Sequence, residues 1–212
     1  CEEANLPFSC FLGGIAENFK SNFHFNGNDI SVVEADEYDR SFLTLKADVI
    51  IVNNIEADHL DIYENLEDIQ SNFIKFCNLG KENCKVILNG DDENVRAIAD
   101  RIEKQKLFFG FDDENDFVID NITYSEKTCS FKLNESQINL SVIGRHNMLN
   151  SSAAFLAAKE TGLNDEQISN ALQSFGGVKR RFELKFTNGI RVYDDYAHHP
   201  TEVKATLEAA RS

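Results

Sequence analysis

The sequence predicts an α/β fold built on a mostly parallel, doubly wound sheet, and three observations carry that prediction. Residues 48–53, 85–89 and 106–110 are short, nearly continuous apolar runs, as strands buried on both faces require. Between them lie 64–79 and 93–104, with apolar residues at helical spacing, so the order is strand, helix, strand, helix, strand. At 117–142 the pattern shortens into three alternating segments between polar turns, which reads as a small antiparallel appendage.

Residues 1–7 read as the end of a helix stopped by Pro7, and 30–35 as a further strand of the same doubly covered sheet. In 64–79, Leu66, Ile69, Phe73 and either Phe76 or Cys77 fall at helical spacing. The appendage strands are 117–120, 128–133 and 137–142, and helices return at 147–161 and 165–175. Residues 182–186 and 190–194 form the arms of a hairpin, with Asn188-Gly189 as the turn signal. Pro200 opens a last helix, 200–212, with Val203, Leu207 and Ala210 on one face. Gly176-Gly177 is the natural break, so the expected domains are 1–177 and 178–212.

Charge narrows the function classes. Lys and Arg number 21 and Asp and Glu 36, and 21 − 36 = −15 repels nucleic-acid backbones and anionic membrane surfaces. A nucleotide remains possible where a few cations and a divalent metal are gathered at one site. No apolar run approaches the roughly 20 residues that cross a bilayer. Cys1, Cys10, Cys77, Cys84 and Cys129 are odd in number and lack zinc-ligand spacing, so they read as free thiols of a cytoplasmic protein. With no initiator Met and no basic leader, the sequence reads as a piece of a longer chain.

Ligands of open α/β sheets sit beyond the carboxyl ends of the strands, and here those ends are rich in polar groups. One runs into Glu34-Ala35-Asp36-Glu37-Tyr38-Asp39, the next into Asn53-Asn54-Ile55-Glu56-Ala57-Asp58-His59, a third into Asn89-Gly90-Asp91-Asp92. Glu34 with Asp58 and His59 suits a hard cation such as Mg²⁺, which takes one or two protein carboxylates plus phosphate and water. Asp39, Glu56, Asp91 and Asp92 read instead as solvated or helix-capping carboxylates. Gly144-Arg145-His146-Asn147 opens an Ala-rich helix, and Asn147 and Asn150, three apart, suit either an adenine edge or simple capping. Lys179-Arg180-Arg181 is the one dense basic triplet, suited to phosphate oxygens, with a solvated turn as the alternative. Asp194-Asp195-Tyr196-Ala197-His198-His199-Pro200 is too crowded with ionisable groups for an ordinary turn.

Together these five ordered motifs, including Gly177-Val178-Lys179-Arg180-Arg181-Phe182-Glu183 and Asp58-His59-Leu60-Asp61, resemble the Mur ligase family over nearly the whole chain. The Arg40-Ser41-Phe42-Leu43-Thr44-Leu45 continuation is most similar to members that join L-alanine to UDP-N-acetylmuramate at the expense of ATP. The resemblance implies a central ATP-binding domain followed by the start of a Rossmann-like C-terminal domain. It implies a carboxylate phosphorylated by ATP to an acyl phosphate, which the amino group of the amino acid then attacks. By motif position, Glu34 and His59 would ligand Mg²⁺, and His146, Asn147 and Asn150 would hold the adenine and nearby nucleotide. Arg181, and with it Arg180, would contact the transferring phosphate; Asp195 would hold the ribose; Tyr196 and His198 would face the amino acid.

Two departures stand out. No Gly here precedes a Lys-Ser/Thr pair, so the family's phosphate loop is not among these residues; its expected place is shortly before Cys1, and the 212 residues alone should turn over no ATP. The helix position where some relatives carry a carbamylated lysine falls in Asn72-Phe73-Ile74, with Lys75 out of register. The rival readings are a ligase that recycles murein tripeptide, a folate-type polyglutamate ligase, a metal-dependent phosphohydrolase using Glu34, Asp58 and His59, and a non-catalytic interaction domain.

Overall fold

The computed structural model of the protein describes residues 1–125 and 128–211. Its centre is a six-stranded sheet in the order β4-β5-β6-β7-β8-β9, which is also the order of its strands along the chain. β4 (Val49–Val52), β5 (Lys85–Asn89), β6 (Gln105–Gly110) and β7 (Phe117–Tyr124) run parallel; β8 (Cys129–Leu133) and β9 (Ser136–Leu140) close the sheet antiparallel. The expected appendage is therefore the far half of the same sheet, joined through the short parallel register of Phe109 with Phe117 and Gly110 with Val118.

Alternation along β5 divides the protein into two cores. Val86 and Leu88 face α1 (Leu66–Leu79) and α2 (Glu93–Ile98), in a cluster with Ile69, Phe76 and Val95. Ile87 faces the other way, into a cluster with Phe109, Phe131 and Ile138 beneath α3 (Arg145–Lys159) and α4 (Asp165–Gln173). A strand covered on both sides has no polar face to show, hence the unbroken Val86-Ile87-Leu88 run. Helix ends are specified locally. Asn65 accepts from the Asp68 N–H at 2.9 Å to start α1, and Asn164 with Gln167 makes a reciprocal capping box on α4. Helix α2 is shorter than expected; it gives way to a 3-10 turn, Ala99–Arg101, and ends before 104.

The amino-terminal quarter departs from expectation. Residues 30–35 do not join the central sheet. β3 (Ile30–Val33) lies largely exposed beside β1 (Phe8–Ala16), in a separate sheet of order β2-β1-β3 completed by β2 (Ser21–Phe25). The expected helix end at 1–7 is a single 3-10 turn, Glu2–Ala4. β1 and β2 leave little trace in the sequence, because Gly13-Gly14 interrupts one and Ser21, Asn22 and His24 dilute the other. Phe11, paired with Phe23 at 4.9 Å between rings, stays exposed.

The carboxyl-terminal part comprises the expected hairpin, β10 (Glu183–Thr187) with β11 (Arg191–Asp194), and α5 (Pro200–Arg211). Gly189 turns the hairpin at φ 70°, where a side chain is disfavoured. The expected last residue of that helix, Ser212, lies outside the described residues. Val203 and Leu207 point outward, and the small Ala209 is the buried residue of α5, its methyl 3.3 Å from where a Cβ on Gly144 would stand. The break at 176–177 is pinned: the Gly177 carbonyl accepts from the Glu17 N–H at 3.0 Å, and the Lys179 N–H donates to the Ile15 carbonyl at 3.0 Å. Cys10, Cys77, Cys84 and Cys129 are buried free thiols.

Candidate functional site

The loops that follow β3 and β4 meet, and Arg40 joins them. Its Nη2 donates to the Ile62 carbonyl at 3.2 Å and to Asp68 Oδ2 at 3.0 Å, while its guanidinium lies 4.8 Å over the Tyr63 ring. The Tyr63 hydroxyl donates to the Glu37 carbonyl at 2.5 Å. Asp39 and Arg40 are both left-handed, at φ 52° and 58°, a costly backbone for residues with side chains, which the Arg40 contacts hold in place. Sequence reasoning did not single out Arg40 or Tyr63 in this way, because their partners lie on the other loop.

Glu34 and His59, the expected metal pair, are turned to different partners. Glu34 Oε2 accepts from the Gly13 N–H at 2.6 Å, and its other oxygen makes no hydrogen bond among the described residues. A Cβ on residue 13 would run into this carboxylate, which gives Gly13 its place in β1. His59 Nε2 stands 3.2 Å from Glu37 Oε1 and 3.9 Å from Asp58 Oδ2, with the ring edge-on to Tyr38 at 5.3 Å. Among the described residues no three His, Cys, Asp or Glu side chains are arranged to hold a metal. One Glu34 oxygen is left without a hydrogen-bond partner among the described residues, and an oxygen donor of that kind is what a hard cation takes beside phosphate and water.

At the carboxyl ends of β4 and β5 the polar groups are amides. Asn53 donates through Nδ2 to Asn150 Oδ1 at 3.2 Å, and its carbonyl accepts from Asn89 Nδ2 at 2.8 Å. Asn53 Oδ1 is buried without a partner. Asn147 turns its Nδ2 back to the Ile143 carbonyl at 2.8 Å, securing the start of α3. Asp91 and Asp92 behave as expected of structural carboxylates. Asp91 accepts from the Phe111 and Asp112 N–H groups at 2.7 and 3.0 Å, and Asp92 caps α2 through the Val95 N–H at 2.8 Å. Burial pushes the Asp92 carboxyl above the ordinary carboxylate range, against the pull of the N–H groups it accepts from.

The basic triplet is not a loose turn. Arg180, left-handed at φ 58°, lays its guanidinium 4.7 Å over the Tyr196 ring and gives its carbonyl to the Tyr196 N–H at 2.8 Å. Arg181 Nη1 donates to Glu202 Oε1 at 3.3 Å. Asp195 braces the crossing by accepting from the Phe182 and Ala197 N–H groups, both at 2.7 Å. Glu202 Oε2 accepts from the His198 and His199 N–H groups at 3.1 and 3.3 Å. Burial pulls the Glu202 carboxyl upward, but these N–H groups and the Arg181 guanidinium outweigh it and hold the pKa below the ordinary value. His198 Nδ1 lies 3.1 Å from the Tyr196 carbonyl, which assigns the proton to Nδ1 and leaves Nε2 as the basic nitrogen.

Two parts of the chain converge at His146. Ala209 of α5 packs against Gly144 beside the His146 ring, and burial there lowers the His146 pKa, with the Asp195 charge working against the shift and that of Arg181 adding to it. Gly144, at φ 111°, makes room for the His146 ring. Glu56, expected to be a solvated or helix-capping carboxylate, instead accepts from Thr201 Oγ1 at 3.0 Å and stands 2.9 Å from His199 Nδ1. That partnership spans more than 140 positions and left no local signal.

Residues 17–158 match the Mur ligase middle domain and residues 180–212 the Mur ligase, glutamate ligase domain. The chain belongs to the Mur ligase family. This Mur ligase chain is 40% identical, over 99% of its length, to a UDP-N-acetylmuramate--L-alanine ligase of Cytophaga hutchinsonii, of which it covers 46%. The crystal structure of a UDP-N-acetylmuramate-alanine ligase of Thermotoga maritima superposes with a TM-score of 0.83 at 27% identity, covering 99% of this chain and 49% of that one. A MurF ligase of Thermotoga maritima, solved in complex with ADP, superposes at 0.76 over 98% of this chain and 51% of its own; at 21% identity it speaks for the fold alone. The Mur ligase chain thus spans about half the length of the curated relatives it matches. Among the described residues, no helix is long and apolar enough to cross a membrane.

Proposed function

We propose that the protein carrying this chain is a cytoplasmic, ATP-dependent ligase that joins L-alanine to UDP-N-acetylmuramate in peptidoglycan precursor synthesis. The observation that carries the reading is that the two family-matched segments meet, Ala209 of α5 packing against Gly144 beside His146 and Glu56 accepting from Thr201 Oγ1. The similarity to UDP-N-acetylmuramate--L-alanine ligases along nearly the full chain supports it. We divide the chain into a central ATP-binding domain, 1–177, and the beginning of the ligase domain, 178–212.

In this reading His146, Asn147 and Asn150 hold the adenine and nearby nucleotide, and Asp195 holds the ribose. Asn150, and the unpartnered Oδ1 of Asn53 beside it, offer donors and an acceptor for a base edge. Magnesium, held by Glu34 and His59, would supply charge neutralisation at the phosphates. Arg181, with Arg180 behind it, meets the charge that develops as the phosphoryl group passes to the substrate carboxylate. Glu202 and the Tyr196 ring hold those two guanidinium groups in place in advance. Tyr196 and His198 face the incoming amino acid. His198 Nε2 accepts the proton that the amine loses as its nitrogen attacks the acyl phosphate and phosphate departs.

The test is a coupled assay of ADP release, with the product mass checked, using the protein and whatever flanking sequence its gene encodes. Sustained ADP release should require both UDP-N-acetylmuramate and an amino acid, with L-alanine favoured over glutamate and over murein tripeptide. Phosphate release without an amine acceptor would identify a phosphohydrolase instead. Chelation with EDTA should abolish turnover, and added Mg²⁺ should restore it.

A further inference from the structure

Residues 180–211 rest on the remainder of the protein through two kinds of contact. One is apolar, where α5 brings Ala209 against Gly144. The other is polar: among the described residues, the side-chain hydrogen bond and the ion pair that cross from this part to the middle segment both end on the same carboxylate, Glu56. Glu56 is half-buried, four residues beyond the end of β4 and three before His59. Its partners, His199 and Thr201, begin α5 directly after Tyr196 and His198.

We infer that Glu56 is a positioning residue for the amino-acid side of the reaction: it holds the 195–202 loop, and with it Tyr196 and His198, in register with the loop that carries His59. The inference rests on the ligase reading above. The held loop answers as one body, because Asp195 ties it to Phe182 and Ala197, and Glu202 ties the N–H groups of His198 and His199 to Arg181. Fixing one end at Glu56 therefore fixes the ring nitrogen and phenol that would meet the amine. A partly exposed carboxylate with a histidine and a threonine as its partners is a weak restraint. A weak restraint can bias the loop's position and still release it when a substrate enters or a product leaves.

The experiment compares Glu56→Ala and Thr201→Val with the unaltered protein. The KM for L-alanine should rise about tenfold in Glu56→Ala and less in Thr201→Val, with the KM for ATP and the melting temperature close to unchanged. Because both changes remove one contact, the double variant should be no worse than Glu56→Ala alone, and Glu56→Gln, which keeps an acceptor, should recover most of the loss. An unchanged KM for L-alanine, or an additive double variant, overturns the assignment. Independently of any substrate, amide hydrogen exchange across 196–202 should quicken about tenfold in Glu56→Ala, and unchanged exchange overturns it as well. Failure of the unaltered protein to ligate L-alanine would count against the ligase reading, while the exchange result still decides whether Glu56 holds the loop.

Discussion

The central sheet and the carboxyl-terminal crossing are held together by different forces. Around β5 the strands are sealed between two apolar clusters, with Val86, Ile87, Leu88, Phe109 and Phe131 all without solvent exposure. Between β10 and α5 little is buried, and the shape depends on carboxylates: Asp195 on two backbone N–H groups, Glu202 on two more and an arginine, Glu56 on a histidine and a threonine. Packing energy scales with buried area and tolerates no voids, so it suits a scaffold; single hydrogen bonds are directional and individually modest, so they suit groups that must be aimed. In this protein the apolar scaffold and the polar crossing rest on different residues.

Substitutions at four residues probe that separation, from the largest expected effect to the smallest. Phe131→Ala, in the second core, should cost about 3–5 kcal/mol in denaturant unfolding, with the KM values of the surviving folded protein unchanged. Arg181→Ala should do the reverse, lowering kcat by roughly 10²–10³-fold in the ADP-release assay while the unfolding midpoint stays put. A large loss of stability in Arg181→Ala would show that the crossing is part of the scaffold after all.

Asp92 tests one cap. Asp92→Ala should cost about 1 kcal/mol through the lost bond to the Val95 N–H, whereas Asp92→Asn keeps an acceptor there. Burial raises the Asp92 pKa in the folded state, so the folded protein holds the proton longer, and this group makes stability fall as pH rises from the ordinary carboxylate value through the raised one. Asp92→Asn should remove that slope in urea titrations. His146 has the smallest effect and the opposite sense. Its pKa is lowered on folding, so the unfolded chain binds more protons below about pH 6.5, and its contribution to stability is lost as pH falls through that range. His146→Gln should flatten the acid side of the stability profile between the lowered value and 6.5, and an unaltered profile would contradict the burial of this ring.

How much of this was legible in the sequence follows the same division. β5 was readable to the residue because a strand covered on both faces must be apolar at every position. β1 and β2 were not, since a small sheet with one open face, two glycines and a histidine packed between Phe8 and Phe19 follows no simple period. Misplacing 30–35 in the central sheet came from the same cause: Ile30-Ser31-Val32-Val33 is apolar, yet its strand is exposed at a sheet edge. The candidate site was legible wherever ionisable residues crowd a strand end, as at Glu34, His59 and 194–199. What remained hidden were partnerships across the fold, Arg40 with Asp68 and Glu56 with His199, since neither member of such a pair is unusual in its own neighbourhood.

The burial of the cysteines bears on how the molecule can be observed. The Cys77 thiol is pushed up to about 12 and that of Cys129 to about 11 by burial, and Cys10 and Cys84 are raised in the same direction. Thiolate is the reactive form, so at neutral pH an alkylating dye should pass over these four and choose Cys1, the half-exposed one. Labelling of Cys77, Cys84 and Cys129 then becomes a clock for the opening of the two cores, read without altering a residue.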